Sequence, residues 1–177
     1  MPHALSAIRM PDMTGAFAEA WWQLYESTFP ASERRGAALH AEAMKDAAFH
    51  CMSLVDDAGF AGLLAYWKWD TLIYVEHLAI VPSRQGRGLG RAALAMLDSP
   101  VILEIEPVVD TATARRLAFY ESCGFEKLSH HHVQLAYQIG EPDIALWLLS
   151  RPAVDADTVA DFERLFHAGP MRYRDGA

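Results

Sequence analysis

The chain has 177 residues, about one domain's worth, and can bury roughly 70% of its unfolded surface without covalent staples. A formal net charge of −8 argues against nucleic acid as a partner, because phosphate backbones are bound by clustered Lys and Arg, and it tilts the expected ligand toward cations or amines. Two cysteines at unrelated positions (Cys51 and Cys123) make no disulfide framework, no apolar run reaches the roughly 18 residues of a membrane span, and Met1-Pro2-His3-Ala4-Leu5 has neither the basic region nor the apolar core of a leader; a cytoplasmic protein is expected. In chain order, 5–10 reads as a strand. A helix over 14–27 follows, with Phe17, Trp21, Leu24 and Tyr25 on one stripe, and Phe29-Pro30 stops it. Ser32 is the expected cap of a second helix carrying Leu39, Ala43 and Met44 to about 47. Segments 49–55 and 60–69 predict a hairpin turning at Asp56-Asp57-Ala58-Gly59, and 71–81 extends it to a three-stranded meander. After a glycine-rich turn and its helix come a short strand at 101–105, an irregular stretch at 107–110 and a helix over 112–122. Strands at 125–135 and 144–149, a closing helix over 156–167 and a frayed tail over 171–177 complete the order.

The glycine-rich turn carries the most chemistry. An apolar strand ending Leu78-Ala79-Ile80-Val81-Pro82 runs into Ser83-Arg84-Gln85-Gly86-Arg87-Gly88-Leu89-Gly90-Arg91 and then a helix with Leu89, Ala92, Ala93 and Met96 or Leu97 at helical spacing. Glycines admit backbone N–H groups to an anion without an intervening Cβ, the helix N-terminus adds partial positive charge, and Arg84, Arg87 and Arg91 add full charges: this is the build of a phosphate cradle. The spacing is neither G-x-G-x-x-G nor a Walker loop with a closing Gly-Lys-Ser/Thr, so both nucleotide-fold readings fall. Taken alone, a Gly-rich turn before a helix is also an ordinary helix-opening device.

Gln85-Gly86-Arg87-Gly88-Leu89-Gly90 resembles the [RQ]-x-x-G-x-[GA] pyrophosphate loop of the GNAT acetyltransferases, and Leu78 to Pro82 resembles that family's strand end. A second motif about 30 residues on, Leu117-Ala118-Phe119-Tyr120-Glu121-Ser122-Cys123-Gly124-Phe125, resembles the family's L-Y-x-x-x-G-F helix end, with Gly124 where a helix C-terminus favours a residue tolerant of positive φ. The resemblance implies a mixed α/β fold with a central, mostly antiparallel, splayed sheet flanked by helices. It implies one domain over 1–177, with a core at about 5–150 and an added helix at about 155–168. It also implies acetyl-CoA as co-substrate, with no metal, and transfer of acetyl to a primary amine of a small molecule or peptide by direct attack. Relatives are commonly dimers, so a homodimer is compatible with it.

Carried residue by residue, the resemblance places the backbone of Leu78, Ala79 and Ile80 along the pantetheine arm and the amides of Gly86, Arg87, Gly88, Leu89 and Gly90 on the pyrophosphate, with Gln85 and Arg91 at its edge. It places Tyr120 as the acid that protonates the departing thiolate, or else as an aromatic packed beside Phe119 and Phe125. For the base it offers Glu76, expected on the same strand face as Leu78 with His77 opposite, or Glu104 in Leu103-Glu104-Ile105, with Glu106 on Glu104's face; a water held by two of these carboxylates serves equally, and each acid alone is also readable as an ion-paired strand carboxylate. Two positions depart from the family pattern. Thr113 stands where Asn is frequent, and Arg116 replaces a small residue, while Arg115 and Arg116 are readable either as phosphate contacts or as a solvated helix face. The rival class is an acyl-CoA-binding module without turnover, and a thioester hydrolase is a third option.

Three consecutive histidines, His130-His131-His132, alternate faces on a strand and so do not converge on one ion; a polar strand or loop is expected there, with one of the three also readable as facing the acceptor cleft. Trp67 and Trp69, like Trp21 and Trp22, read as core or dimer surface.

Overall fold

The computed structural model describes residues 5–98 and 100–177. The sequence reading of a missing leader falls mostly on residues 1–4, outside those described. Among the described residues, eight strands form one sheet: β1 (Ser6–Arg9), β2 (Phe49–Asp56), β3 (Gly59–Lys68), β4 (Ile73–Ile80), β5 (Val101–Ile105), β6 (Glu126–Lys127), β7 (His132–Gln134) and β8 (Ile144–Arg151). Their order is β1-β2-β3-β4-β5-β8-β6, with β7 also on β8. The β4–β5 pair is parallel and the others are antiparallel. One face carries α1 (Ala18–Thr28), α2 (Ala37–Ala43) and α5 (Ala156–Ala168) over Trp21, Tyr25, Phe49, Trp67, Tyr74, Phe162 and Phe166. The other carries α3 (Leu89–Ala95) and α4 (Thr111–Ser122) over Val75, Leu103, Phe125 and Leu149.

The site exists because β4 and β5 part company. They pair only at Ile73↔Val101, Tyr74↔Ile102 and Val75↔Leu103. On the other side, the β3–β4 register steps from Ala65↔His77 to Tyr66↔Val75, so β4 holds one extra residue, Glu76, as a bulge. A bulge bends its strand and increases the local twist. Beyond Val75, β4 therefore diverges from β5 and its far edge has no strand partner among the described residues. The same extra residue resets the two-residue alternation. Glu76 and His77 both lie in the layer of Arg35, Tyr25 and Phe29, while Leu78 packs with the opposite cluster. The expected placement of Glu76 with Leu78, and of His77 opposite it, is thereby corrected.

Gly62 on β3 faces this bend. A Cβ built there would stand 2.3 Å from the Ala79 carbonyl oxygen, a distance no side chain tolerates. Gly62→Ala is expected to cost about 1–3 kcal/mol, the range for overpacking a fixed core. Urea denaturation would show it, and an unchanged midpoint would mean that the two strands separate freely.

Local chemistry explains where the sequence expectations shift. The first helix starts later than expected because Asp12 holds the preceding turn, accepting the Thr14 N–H at 2.8 Å. The second is a 3₁₀ turn (Ala31–Glu33) and then α2. Ser32 is buried and does not cap; its carbonyl instead accepts from the Tyr137 amide at 3.0 Å and Gln134 Nε2 at 3.3 Å. The single strand expected at 125–135 is two, β6 and β7, each on β8 and separated by the polar segment around Ser129 and His130. Nor is the tail frayed. Residues Pro170–Tyr173 form a 3₁₀ turn whose Pro170 and Tyr173 carbonyls accept from the Arg35 guanidinium at 3.0 and 3.1 Å. α4 starts at a reciprocal cap between Asp110 and Thr113, which gives Thr113 its place in this chain.

Candidate active site

The divergence of β4 from β5 opens a cavity of about 760 Å³, bounded by Leu78, Ala79 and Ile80 on one wall and by Phe119 and Tyr120 of α4 on the other. Gln85, Gly86, Gly88, Leu89, Gly90 and Arg91 close its end, so the expected cofactor residues line it together, with Arg87 outside the lining. Gly86 and Gly88 have φ of +75° and +77°, a region L side chains rarely adopt, and no atom lies within 4 Å of a Cβ built on either. The loop is thus shaped by its glycines and uncrowded around both of them. At Gly90 a Cβ would meet Phe119 at 3.1 Å, so this glycine sets how closely α3 approaches α4.

The arginines divide their tasks. Arg84 is tied to the β2–β3 turn through Asp56 and the Ala58 carbonyl. Arg91 donates to the Ser122 carbonyl at 2.5 Å and hydroxyl at 2.8 Å, joining α3 to α4 beside the cavity. Gln85 Nε2 donates to the Ile80 carbonyl at 3.0 Å, folding the loop back on β4. Arg115 and Arg116 line the cavity, and Arg116 pairs with Glu106.

A smaller cavity of about 170 Å³ adjoins the first and shares Thr28, Leu78, Arg116 and Tyr120 with it. Its walls bring in Glu33, Glu76, Glu104 and Glu106 with Gln134. Burial raises the Glu33 carboxyl to about 7, and the charges of Glu106 and Glu104 push the same way. Tyr120 therefore stands at the junction, its ring edge-on to Phe119 and Phe125 with centroids 5.1 and 5.8 Å away. Burial pushes its phenol to about 12, so it is protonated at neutral pH.

The two expected base candidates differ sharply. A carboxylate offers about four lone-pair sites. At Glu76 four donors fill them: Arg35 Nη1 and Nη2 at 2.8 and 2.7 Å, Trp67 Nε1 at 3.2 Å and the Tyr137 hydroxyl. Burial opposes this charge, but the Arg35 guanidinium outweighs it and holds Glu76 down to about 2. Glu76 is thus a saturated structural anion rather than a poised base. Glu104 is only half committed, accepting from the Tyr74 hydroxyl at 2.6 Å on one oxygen and from His132 Nε2 on the other.

Arg35, Tyr137 and Glu163 escaped the sequence reading, which singled out His132 only as one of three histidines in a polar segment. Their partners lie far along the chain, and no local period marks such pairs. The histidine run resolves as a surface-to-core step: His130 and His132 both meet Glu163 of α5, while His131 is exposed. Trp67 is buried and stacked on Trp69 and Tyr173, so these indoles belong to the core side of the sheet.

A sheet split at a bulged strand, with a glycine-shaped loop and a short helix across the opening, is the architecture of the acetyltransferases of the GNAT fold. Residues 46–127, from just before the meander through β6, match the family model described as "Acetyltransferase (GNAT) domain". Over 139 residues, 72% of this chain and 69% of the other, it is 29% identical to the Bacillus subtilis (strain 168) protein named "Putative acetyltransferase YjbC". A similarly named GNAT-family structure from Bacteroides thetaiotaomicron superposes with a TM-score of 0.81 at 26% identity, covering 93% of this chain and 96% of that one. An aminoglycoside 6'-N-acetyltransferase complexed with coenzyme A shares the fold at a TM-score of 0.60 and 14% identity, over 85% and 99% of the two chains. Among the described residues no helix is long and apolar enough to cross a membrane.

Proposed function

We propose that this protein transfers the acetyl group of acetyl-CoA to a primary amine of a small molecule or peptide, with Tyr120 as acid and Glu104 as base. The observation that carries this reading is the junction of the two cavities. Tyr120 lines both, and Glu104, with lone pairs to spare, lines the smaller. The larger cavity suits the co-substrate: the edge of β4 beyond Val75, without a strand partner among the described residues, offers backbone groups to an amide-bearing arm like a missing strand, and the uncrowded backbone at Gly86 and Gly88 suits a pyrophosphate. Acetyl-CoA supplies a thioester whose carbonyl is attacked and whose thiolate leaves.

An amine arrives at neutral pH as ammonium, attracted by Glu33, Glu104 and Glu106. Glu104 takes its proton, and the free lone pair attacks the thioester carbonyl from the smaller cavity. Tyr120, at the junction, donates its O–H to the departing sulfur. The amine acceptors of GNAT relatives, such as the aminoglycoside of the structure above, are compatible with so acidic a pocket.

Calorimetric titration with acetyl-CoA tests the reading, compared with Gly88→Glu. A side chain at φ +77° costs about 1–2 kcal/mol in the loop, and its charge opposes the phosphates, so binding should weaken about 10- to 100-fold. A folded native protein that does not bind acetyl-CoA would sink the proposal. Tight binding without acetylation of any amine would favour the non-catalytic acyl-CoA module.

A further inference from the structure

We propose that Glu33 is the seat of the acceptor's ammonium group, and that the cavity it lines takes one such group on the end of a slim arm. The inference rests on the reading of the smaller cavity as the acceptor site and names the residue that holds the acceptor there. Four carboxylates line that cavity: Glu33, Glu76, Glu104 and Glu106. Three of them have cations. Glu76 holds the Arg35 guanidinium at 2.7 Å, Glu106 pairs with Arg116, and Glu104 meets the His132 ring, which it shares with the partly exposed Glu163. Burial opposes a charge on that ring, but hydrogen bonds to the two carboxylates outweigh it and raise it to about 9, so it is an imidazolium at neutral pH. Among the described residues no cation pairs with Glu33 and no group donates to its carboxylate; the Arg116 charge, already engaged by Glu106, is the weakest of the influences that reach it. A half-buried carboxylate without a cation is costly. The cavity is one cation short, and an amine that enters as ammonium supplies it.

The turn that carries Glu33 is fixed, while its side chain is uncommitted. The Glu33 amide donates to the Pro30 carbonyl at 2.9 Å, its carbonyl accepts from His77 Nε2 at 2.7 Å, and the neighbouring Arg34 carbonyl accepts from Gln138 Nε2 at 3.1 Å. Gln134 is a second, independent sign of a ligand. It is 4% exposed and lines the same cavity, and its Nε2 donates to the Ser32 carbonyl, yet among the described residues no group donates to its Oε1. Buried acceptors are normally satisfied. An ammonium has three N–H donors and no acceptor, so Glu33, Gln134 Oε1 and the spare lone pairs of Glu104 answer it, and Glu104 then takes its proton. The amide product carries no positive charge and no longer makes up the deficit, which favours its release. At about 170 Å³ the cavity is smaller than the roughly 300–1,000 Å³ of pockets that enclose a whole small ligand. Only the amine end of the acceptor enters, and any further charges it carries stay outside.

The test uses the full chain. Native protein is assayed with acetyl-CoA against spermidine, kanamycin and a tripeptide with a free N-terminus, and the best acceptor is kept. Glu33→Gln, which keeps the shape and removes the charge, should raise KM for that acceptor about 10- to 100-fold, the worth of a hydrogen bond to a charged group. Its kcat should stay within a few-fold and its KM for acetyl-CoA should not change, while Glu33→Asp should recover part of the loss. The pH profile reads the same group. Burial and the charges of Glu106 and Glu104 raise Glu33 to about 7 against the pull of Arg116, so kcat/KM for the acceptor should climb as pH rises through 7 and the seat ionises, and Glu33→Gln should lack that step. An unchanged acceptor KM in Glu33→Gln, a loss confined to kcat, or a step that persists without Glu33 overturns the seat while acetyl transfer stands. In carbon-13 NMR of the carboxyl groups, an amine added to protein saturated with coenzyme A should lower the pH at which Glu33 titrates. Native protein that binds acetyl-CoA but acetylates none of the three amines overturns the transfer reading. That titration then decides the seat alone: a Glu33 that no amine shifts overturns it too.

Discussion

Tyr120→Phe should lower kcat about 100-fold or more, within the range for losing a positioned acid, while KM for acetyl-CoA stays within a few-fold. The substitution removes one oxygen. It leaves the ring against Phe119 and Phe125, so the wall of the larger cavity keeps its shape. A proton held on the phenol at neutral pH, as burial holds it here, is available when sulfur departs, and a phenylalanine has none to give. An effect confined to kcat marks an interaction made in the transition state rather than in binding. Steady-state kinetics beside a thermal melt would decide the matter. Loss of less than threefold in kcat, with the fold intact, would remove Tyr120 from the chemistry and leave it as packing.

The other large effect concerns stability. Arg35→Met should destabilise the protein by about 3–5 kcal/mol, the range for breaking a buried pair and stranding its partner. The guanidinium is fully buried and Glu76 is 1% exposed, so no water replaces the lost cation. The substitution also abandons the Pro170 and Tyr173 carbonyls. The sign with pH follows from Glu76. Its folded value of about 2 lies below the ordinary 4.5, so its contribution is present above 4.5 and is lost as pH falls toward 2. In Arg35→Met the stranded carboxyl is pushed the other way by burial, and protonation relieves it. Urea midpoints of the native and variant proteins should therefore draw together as pH falls, above 4.5 as the variant's carboxyl takes its proton and from 4.5 toward 2 as the native one does. A constant gap across that range would mean that Glu76 does not carry the effect.

What could be read from residues alone was whatever is local. The loop from Gln85 to Gly90 and the helix end at Tyr120 are contiguous motifs, and the meander announces itself through alternation and the Asp-Asp-Ala-Gly turn. The structure brings the loop and Tyr120 to one cavity. Glu76 was misplaced because a bulge leaves no mark in one sequence: the alternation rule counts residues, and one extra residue reverses every side chain after it. Arg35 looked like part of a helix start. Its identity as the cation of the core depends on Glu76, 41 residues away, and on the tail. The histidine run was expected as a polar strand or loop, and what it meets, Glu163 of α5, lies 33 residues beyond His130 and 31 beyond His132.

The docked tail bears on how the chain is made. Arg35 leaves the ribosome 138 residues ahead of Tyr173, the last carbonyl its guanidinium needs. At ordinary translation speed that interval is on the order of 10 seconds. Throughout it the nascent chain carries a cation whose permanent seat is unfinished, so the layer of α1 and α2 cannot dry out around it until Pro170 and Tyr173 have been made. The final turn is the stopper of that layer, and a ribosome stalled before Pro170 leaves water at the centre of the fold.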